Sequence, residues 1–592
     1  MGENMEKNDK LVNNTFRGIL LVNILSTVSS IAAVMIDAII TGQFLGSDAV
    51  AAMGLIQPVV MLFTLLGAFF GPGLGIVCTR YMGMARLDRV IQVFSLIMIV
   101  MVSAAVAGSI ALFIFAPAIA NLLGAKTNDP LIISMIIDYL RGYSFGIPFV
   151  LLSICLNGLM MLDNDRKLGL ISVFIALISD TIFDLVNVLI IHGGMCGMAV
   201  ATTLSSILGV MTLLTHFRKK ERILRFNPLG LQISDLKDVV LSSVPNGISV
   251  GSNAVRNLCF NALLLAIATK VEVSALSITN SAFSIILAVT IAFNVTTSTI
   301  CSLFYGEEDR KGIEASFKLS IKTVLIVFAI ILAICQIFAG NIATLFLNSG
   351  SADELTIATF FIRCMSIQYF LMSVAFSFSG VYQGIRHMKA NYSIVFLRDM
   401  AFPIGSVIVL GQLFGVKGVG AGFVVAGAIT LICCFLFPLI IRKKMPTKID
   451  DYILLKEDFG SKPEDTFEVS VSNLEGAMDV SDRVMEFYKE HHMDKRTITY
   501  ISLFLEEMLR NTIEHGFEGK KDNYIDVRVI CGKEKQVIRI RDNGKPFDPV
   551  EWHKTNHPDD PTSGLGIRMV IGLAKEVRYV PAMDMNNLML IL

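Results

Sequence analysis

Three acidic residues stand in stretches otherwise too apolar to tolerate charge. Asp37 lies in SSIAAVMIDAIITG, and Asp180 and Asp184 lie in ALISDTIFDLVNV. Spaced i and i+4, the last two project from one helix face. Carboxylates crowded at low dielectric share a proton or share a metal ion. The alternative is a buried Asp bonded to Ser, Thr or Asn neighbours. Arg141, Arg256 and Arg363 occupy similar stretches. They pair with acids, snorkel to the interface or meet a substrate.

A second group of residues lies near the C-terminus. In EEMLRNTIEHG, Glu507, Asn511 and His515 recur at i, i+4 and i+8 and share a helix face. In RDNGKPFDP, Asp542 and Gly544 close an alternating strand. In TSGLGIRMV, Gly564 and Gly566 open a helix, where glycines let backbone N–H groups approach phosphate. Taken singly, these read equally well as a solvated helix face, a β-turn and another turn. No GxxxxGK[ST] occurs anywhere in the chain, which argues against an ABC-type exporter.

The elements that position these residues fall into two regions. Twelve apolar stretches are long enough to cross a bilayer: roughly 16–42, 52–79, 90–117, 131–160, 168–191, 196–217, 238–269, 274–303, 317–346, 355–382, 391–414 and 418–441. Alternate connections carry 24 Lys and Arg, against Lys126, Lys270 and Lys417 on the other side. The positive-inside rule then puts both ends of the bundle in the cytoplasm. The twelve look like six repeated. Gly158 and Lys167 recur as Gly380 and Lys389, Gly194 and Gly197 as Gly415 and Gly418, and Arg86 as Arg310, all at nearly one offset. Parallel six-helix repeats are a transporter architecture.

Residues 442–465 are charged, contain two prolines and read as a linker. Beyond them the period changes. TFEVSVSN, YIDVRVI, KQVIRIRD and NNLMLIL read as strands, and 474–490 and 497–515 as helices. That predicts a small α+β sandwich.

Composition agrees with this division. The 592 residues are 54% hydrophobic and 17% charged, which places the chain toward membrane proteins and excludes disorder for most of it. The net charge of zero hides an imbalance. Residues 1–448 hold 31 Lys/Arg against 23 Asp/Glu, and 449–592 hold 19 against 27. No strongly basic surface for nucleic acid is expected. The ten cysteines form no CxxC and read as free thiols.

MIDAIITGQFLGSDAVAAMGLIQPV, GPGLGIVCTRYMGMARLDRV and DTIFDLVNVLIIHGGMCGMAVATTLSS resemble the first, second, and fifth and sixth helix regions of the multidrug and toxic compound extrusion (MATE) family. The resemblance covers about 15–441. It implies export of organic cations and other amphiphiles, driven by inward H⁺ or Na⁺, through two six-helix lobes at 16–217 and 238–441 behind a short cytoplasmic N-terminus, 1–15. It assigns a cation site to Asp37, Asp184 and Thr202, with Asp180 at a position that is commonly Asn. Residues 466–592 resemble the GHKL (Bergerat-type) ATP-binding fold, and more narrowly the bacterial anti-sigma serine kinases. There the resemblance implies that Asn511 ligates Mg²⁺, that Asp542 accepts the adenine amino group and that Gly544 gives adenine access. Gly564 and Gly566 form a lid on the phosphates, and Glu507 is the general base. The expected whole is a bacterial inner-membrane exporter of small molecules coupled to a cytoplasmic ATP-binding domain. A STAS-type anti-anti-sigma protein is a possible partner. The alternatives are a membrane-anchored serine/threonine kinase using the bundle as a sensor, and a lipid-linked flippase.

Overall fold

The computed structural model describes residues 2–124, 129–219, 222–267, 270–346, 352–471, 473–517, 523–532, 536–555 and 565–592. Because hydrocarbon offers the backbone no hydrogen bonds, each apolar stretch closes its own as a helix. The helices are α1 (Gly2–Ile40), α2 (Ser47–Gly83), α3 (Leu87–Gly124), α4 (Pro130–Met160), α5 (Arg166–Val186) and α6 (Gly194–Leu214) in one lobe. The other lobe holds α7 (Ile233–Ile267), α8 (Lys270–Gly306), α9 (Arg310–Phe346), α10 (Ala352–Gly384), α11 (Met388–Phe396) and α12 (Phe402–Arg442).

Ten segments among the described residues are long and apolar enough to cross a membrane. The last of them, Met388–Arg442, is 55 residues long and is broken at Gly415, whose φ of 61° and ψ of −143° end one helix and begin another. α7 is as long as its neighbours but carries Asp235, Lys237, Asp238 and Arg256. With α7 counted, and Met388–Arg442 taken as two spans that part at Gly415 (α11 with the start of α12, then the rest of α12), the described residues give the twelve spans expected, six to a lobe.

The hydrogen bonds joining the lobes gather toward the end that carries the basic loops. Asn23 reaches Thr296 at 2.9 Å, the Gly73 N–H reaches Ser243 at 2.8 Å, and Ser302 reaches the Ile76 carbonyl at 2.6 Å. Asp238 of α7 pairs with Arg80 across the seam at 3.1 Å and with Arg386 at 2.7 Å. At the helix ends α2 and α8 touch backbone to backbone. A β-carbon on Gly83 would fall 2.1 Å from the Leu303 carbonyl oxygen, and one on Gly306 would fall 2.1 Å from that of Arg80.

Beyond α12 the chain stays packed. α13 (Ile449–Ile453) buries Ile453 against the bundle, followed by Leu454 and Leu455. Arg310 binds Asp450 and the carbonyls of Lys456 and Phe459. The segment expected to act as a linker is therefore an ordered bracket on the second lobe.

The C-terminal domain contains β1 (Thr466–Val471), α14 (Leu474–Glu490), α15 (Lys495–Asn511), β2 (Ile525–Cys531), β3 (Gln536–Asp542), α16 (Pro549–Thr555), α17 (Leu565–Leu573), β4 (Glu576–Ala582) and β5 (Met585–Ile591). The sheet is antiparallel throughout, in the order β1-β2-β3-β5-β4. Strand alternation separates two faces. Val469, Val527, Val529, Ile538, Ile540, Leu588 and Leu590 pack with Val480, Val484, Leu505, Met508, Leu509 and Ile567 of the helices. The opposite face carries Arg528, Arg539, Arg541, Asn587 and Met589, and it lies on the basic end of the bundle. Val580, Ala582, Met583, Met585 and Met589 join the core of the helical bundle.

Candidate functional site

Two sites emerge. In the first lobe Asp37 comes from α1, Asp180 and Asp184 from α5, and Thr202 from α6. Asp37 lies beside both Asp180 and Asp184, and Thr202 lies beside Asp180. Asp184 is fully buried and Asp180 nearly so. Ser205 donates to Asp180 Oδ1 at 2.9 Å. Both oxygens of Asp184 and Oδ1 of Asp37 find no donor among the described residues. No Lys or Arg pairs with any of the three among those residues, so the cluster is a buried surplus of acid. A π-helical turn, Asn187–Ile191, continues α5 beyond Asp184. Such turns are frequent at functional sites.

The second lobe carries Asp399 in a π-helical turn, Leu397–Ala401. Asp399 is buried well inside its span, held in a two-point ion pair by its neighbour Arg398 at 2.6 and 2.7 Å. The Arg398 guanidinium also stacks on Phe376, 3.7 Å from the ring centre. Arg256 donates to Asn253 and, at 3.4 Å, to the Asp399 carbonyl. Arg398 was missed because its acidic partner is its own chain neighbour and no spacing pattern marks it. The two lobes thus carry interiors of opposite charge character.

The second site is a cavity of about 740 Å³ in the α+β domain. α15 brings Glu507, Asn511 and, in the π-helical turn Thr512–Gly516, His515 to its wall. These are the three residues that the i, i+4, i+8 spacing grouped. β3 brings Asp542. Asp542 Oδ1 accepts the Gly544 N–H at 2.7 Å and Asn586 Nδ2 at 2.7 Å. Asn586 in turn accepts from the Tyr579 hydroxyl at 2.7 Å. These bonds fix the carboxylate's orientation inside an otherwise apolar wall of Met508, Ile540, Phe547, Trp552, Ile567 and Leu588.

A β-carbon on Gly544 would fall 2.9 Å from Asp542 Oδ1 and 3.2 Å from the Gly516 carbonyl oxygen, so only glycine leaves this corner open. Gly566 stands second in α17. Gly564 lies outside the described residues. Asn586 and Tyr579 were missed in the sequence, although the paired asparagines in NNLMLIL interrupt an apolar strand and were a usable signal.

The cavity fits a nucleotide held with Mg²⁺. It has apolar walls for a flat base, one oriented carboxylate for an exocyclic amine and an amide oxygen at Asn511 suited to a hard cation.

Comparison with known proteins gives matches for both regions. The MatE family model matches residues 19–186 and 248–404, and the model for the histidine kinase-like ATPase domain matches 471–591. The multidrug export protein MepA of Staphylococcus haemolyticus (strain JCSC1435) is 23% identical over 402 residues, covering 66% of this chain and 84% of that protein. The probable multidrug resistance protein YoeA of Bacillus subtilis (strain 168) is 21% identical over 446 residues, covering 73% and 94%. Among solved structures, an outward-facing multidrug resistance MATE family transporter of the MOP superfamily superposes with a TM-score of 0.67. It is 18% identical and covers 72% of this chain and 95% of that one.

Proposed function

The chain belongs to the MatE family, and from that premise we propose that it is a multi-pass exporter of organic or amphiphilic small molecules in a bacterial inner membrane. Both termini are cytoplasmic, the polarity that the basic loops support. Inward movement of H⁺ or Na⁺ drives export. The observation that carries this reading is the convergence of Asp37, Asp180 and Asp184 without a basic partner among the described residues. Buried carboxyls this close repel one another when ionised, and a shared proton relieves that repulsion, so H⁺ is the coupling ion put forward.

The C-terminal domain binds ATP. Asn511 would hold the Mg²⁺, and Asp542, steadied by Asn586, would read the adenine. ATP supplies a transferable phosphoryl group when bound. Regulation of export is the proposed use of this domain, because the gradient already provides the driving force. A second reading is a protein serine/threonine kinase acting on a STAS-type partner, with the bundle as sensor. It is favoured by Glu507, which lines the same cavity as Asn511 one helical turn away. There Glu507 would accept the hydroxyl proton of a Ser or Thr substrate.

Proteoliposomes loaded with a fluorescent organic cation test the first reading. Efflux should follow an imposed pH gradient in the wild type and cease in Asp37→Asn. Equal efflux by wild type and variant, or efflux indifferent to both an imposed pH gradient and an imposed Na⁺ gradient, overturns it.

A further inference from the structure

The nucleotide cavity and the seam between the lobes share two strands. On β3, Asp542 faces the cavity and its neighbour Arg541 faces the bundle. On β5, Asn586 faces the cavity and Asn587 faces the bundle. The cross-strand register pairs Arg541 with Asn587 and Asp542 with Asn586. The cavity-side pair is joined by the 2.7 Å Asn586–Asp542 bond. The bundle-side pair converges on Glu307, whose Oε2 accepts from Arg541 at 2.8 Å and whose Oε1 accepts from Asn587 at 3.0 Å.

Glu307 lies in the connection between α8 and α9, directly after Gly306, and is buried beneath the sheet. Arg539 pairs with Glu307 at 3.2 Å and also donates to the Gly83 carbonyl of the first lobe at 3.3 Å. Arg578 reaches the next first-lobe carbonyl, Met84, at 2.9 Å. Asp309 takes Arg528 at 3.3 Å and Arg541 at 3.5 Å. One sheet face therefore grips the end of α2 in one lobe and the end of α8 in the other, at the point where Gly83 and Gly306 touch.

We propose that this arginine-bearing sheet face is a clamp across the closed cytoplasmic mouth, and that nucleotide binding favours the clamped state. The proposal rests on the reading of the chain as an exporter with an ATP-binding domain, and it names how that domain acts. To open toward the cytoplasm, the ends of α2 and α8 must separate. Arg539 cannot bond both Gly83 and Glu307 once they part by more than an ångström or two, since hydrogen bonds fade beyond about 3.5 Å. The clamp must then release at least one lobe.

The four residues on β3 and β5 are backbone-paired neighbours, so a shift of either strand that frees Arg541 and Asn587 also displaces Asp542 and Asn586. In the clamped state Asp542 and Asn586 stand paired at the cavity wall. A ligand that prefers that state shifts the population toward it, and the coupling is reciprocal.

The test uses the full chain in nanodiscs with Mg²⁺ and a non-hydrolysable ATP analogue. Three readouts are combined. A carbodiimide joins Lys311 to Glu468, 2.8 Å apart across the interface, and is scored against Lys219–Asp165 within the bundle at 2.6 Å. Hydrogen exchange of residues 80–86 reports the seam. Fluorescence of Trp552, the chain's single tryptophan and a wall of the cavity, reports nucleotide affinity.

Glu307→Gln should lower the interface cross-link, speed exchange at 80–86 and weaken nucleotide binding about 5- to 150-fold, the usual range of allosteric coupling. Asn587→Ala, a milder change that removes the bond to Glu307, should move all three in the same direction by less. If the wild type binds nucleotide and both variants leave affinity and exchange unchanged, the clamp is wrong while the ATP-binding exporter stands. If the wild type binds no nucleotide, the ATP-binding reading fails and the nucleotide control of the clamp fails with it.

Discussion

Gly83 and Gly306 are back to back: each ends the second helix of its lobe, and each leaves no room for a β-carbon against the other's helix. The contact closes the bundle at its basic end. Gly306→Val should therefore be accommodated only by parting the helices. Overpacking of this kind costs about 1–3 kcal/mol, enough to repopulate conformations open at that end. The expected outcome is a protein that inserts normally but exports poorly, with faster hydrogen exchange at residues 80–86. Wild-type export in Gly306→Val would contradict the contact.

The first-lobe carboxylates should not be equivalent. Asp180 accepts from Ser205, a bond that the carbonyl oxygen of an asparagine can also accept. Asp180→Asn should keep part of the export activity. Asp37→Asn and Asp184→Asn remove carboxyls that have no such substitute and should lower efflux by about 10² or more, the scale of losing a positioned proton carrier. Initial efflux rates of the three variants under one pH gradient give the ranking.

Adenine recognition depends on the charge of Asp542 as well as its shape. In Asp542→Asn the side-chain oxygen can still accept from Gly544 and Asn586, but the charged acceptor is gone. Hydrogen bonds to charged groups contribute about 1.5–3 kcal/mol, so affinity for ATP should fall roughly 10- to 100-fold. Preference over GTP should narrow with it. Asn511→Ala should instead abolish the Mg²⁺ dependence of binding. Trp552 fluorescence titrations with each nucleotide, with and without Mg²⁺, distinguish the two effects.

Transfer of phosphate to a Ser or Thr requires a base, since the hydroxyl is a poor nucleophile at neutral pH. Glu507→Gln should retain ATP binding and lower transfer to a STAS-type protein by of order 10² or more. Labelled ATP and purified candidate partners provide the assay. Tight ATP binding by the wild type with no labelled hydroxyl in any partner would leave regulation of export as the domain's role.

Acid should undo the interface late. Burial alone would raise the Asp309 carboxyl, but Arg528 and Arg541, aided by the Gly312 N–H, hold it below the usual carboxylate range. A depressed carboxyl contributes stability above its unfolded value of about 3.9 and loses it as pH falls through the lower folded value. Between pH 7 and pH 5 the Lys311–Glu468 cross-link, scored against Lys219–Asp165, should stay constant. A decline across that range would mean that burial outweighs the arginines and raises the Asp309 carboxyl instead of lowering it.

Much of this was legible in the sequence. Apolar runs of membrane-spanning length, a recurring offset and the three motifs around Glu507, Asp542 and Gly566 suffice for a twelve-helix bundle followed by an ATP-binding fold. What escaped has physical reasons. β4 (Glu576–Ala582) contains a proline and occupies the sheet edge, the place where a strand tolerates one. The alternation of Arg539 and Arg541 with Ile538 and Ile540 says which residues share a face. It does not say what covers that face, and charged residues on a strand ordinarily mean solvent. Here they meet Glu307 and Asp309, more than two hundred residues earlier in the chain. The Arg398–Asp399 pair was hidden because adjacent residues leave no periodic trace.

The bracket formed by residues 443–465 has a further consequence. It ends at β1 beside the second lobe, so a domain released from its docking face stays close to it. Tethers this short hold a partner at an effective concentration of about millimolar or more. The docking contact can therefore be intrinsically weak and still be occupied nearly all the time. Release then needs only a modest change in affinity, such as one nucleotide can supply, and rebinding is immediate. The same domain cut free and added back in solution should occupy the bundle poorly at micromolar concentration, even with every arginine in place.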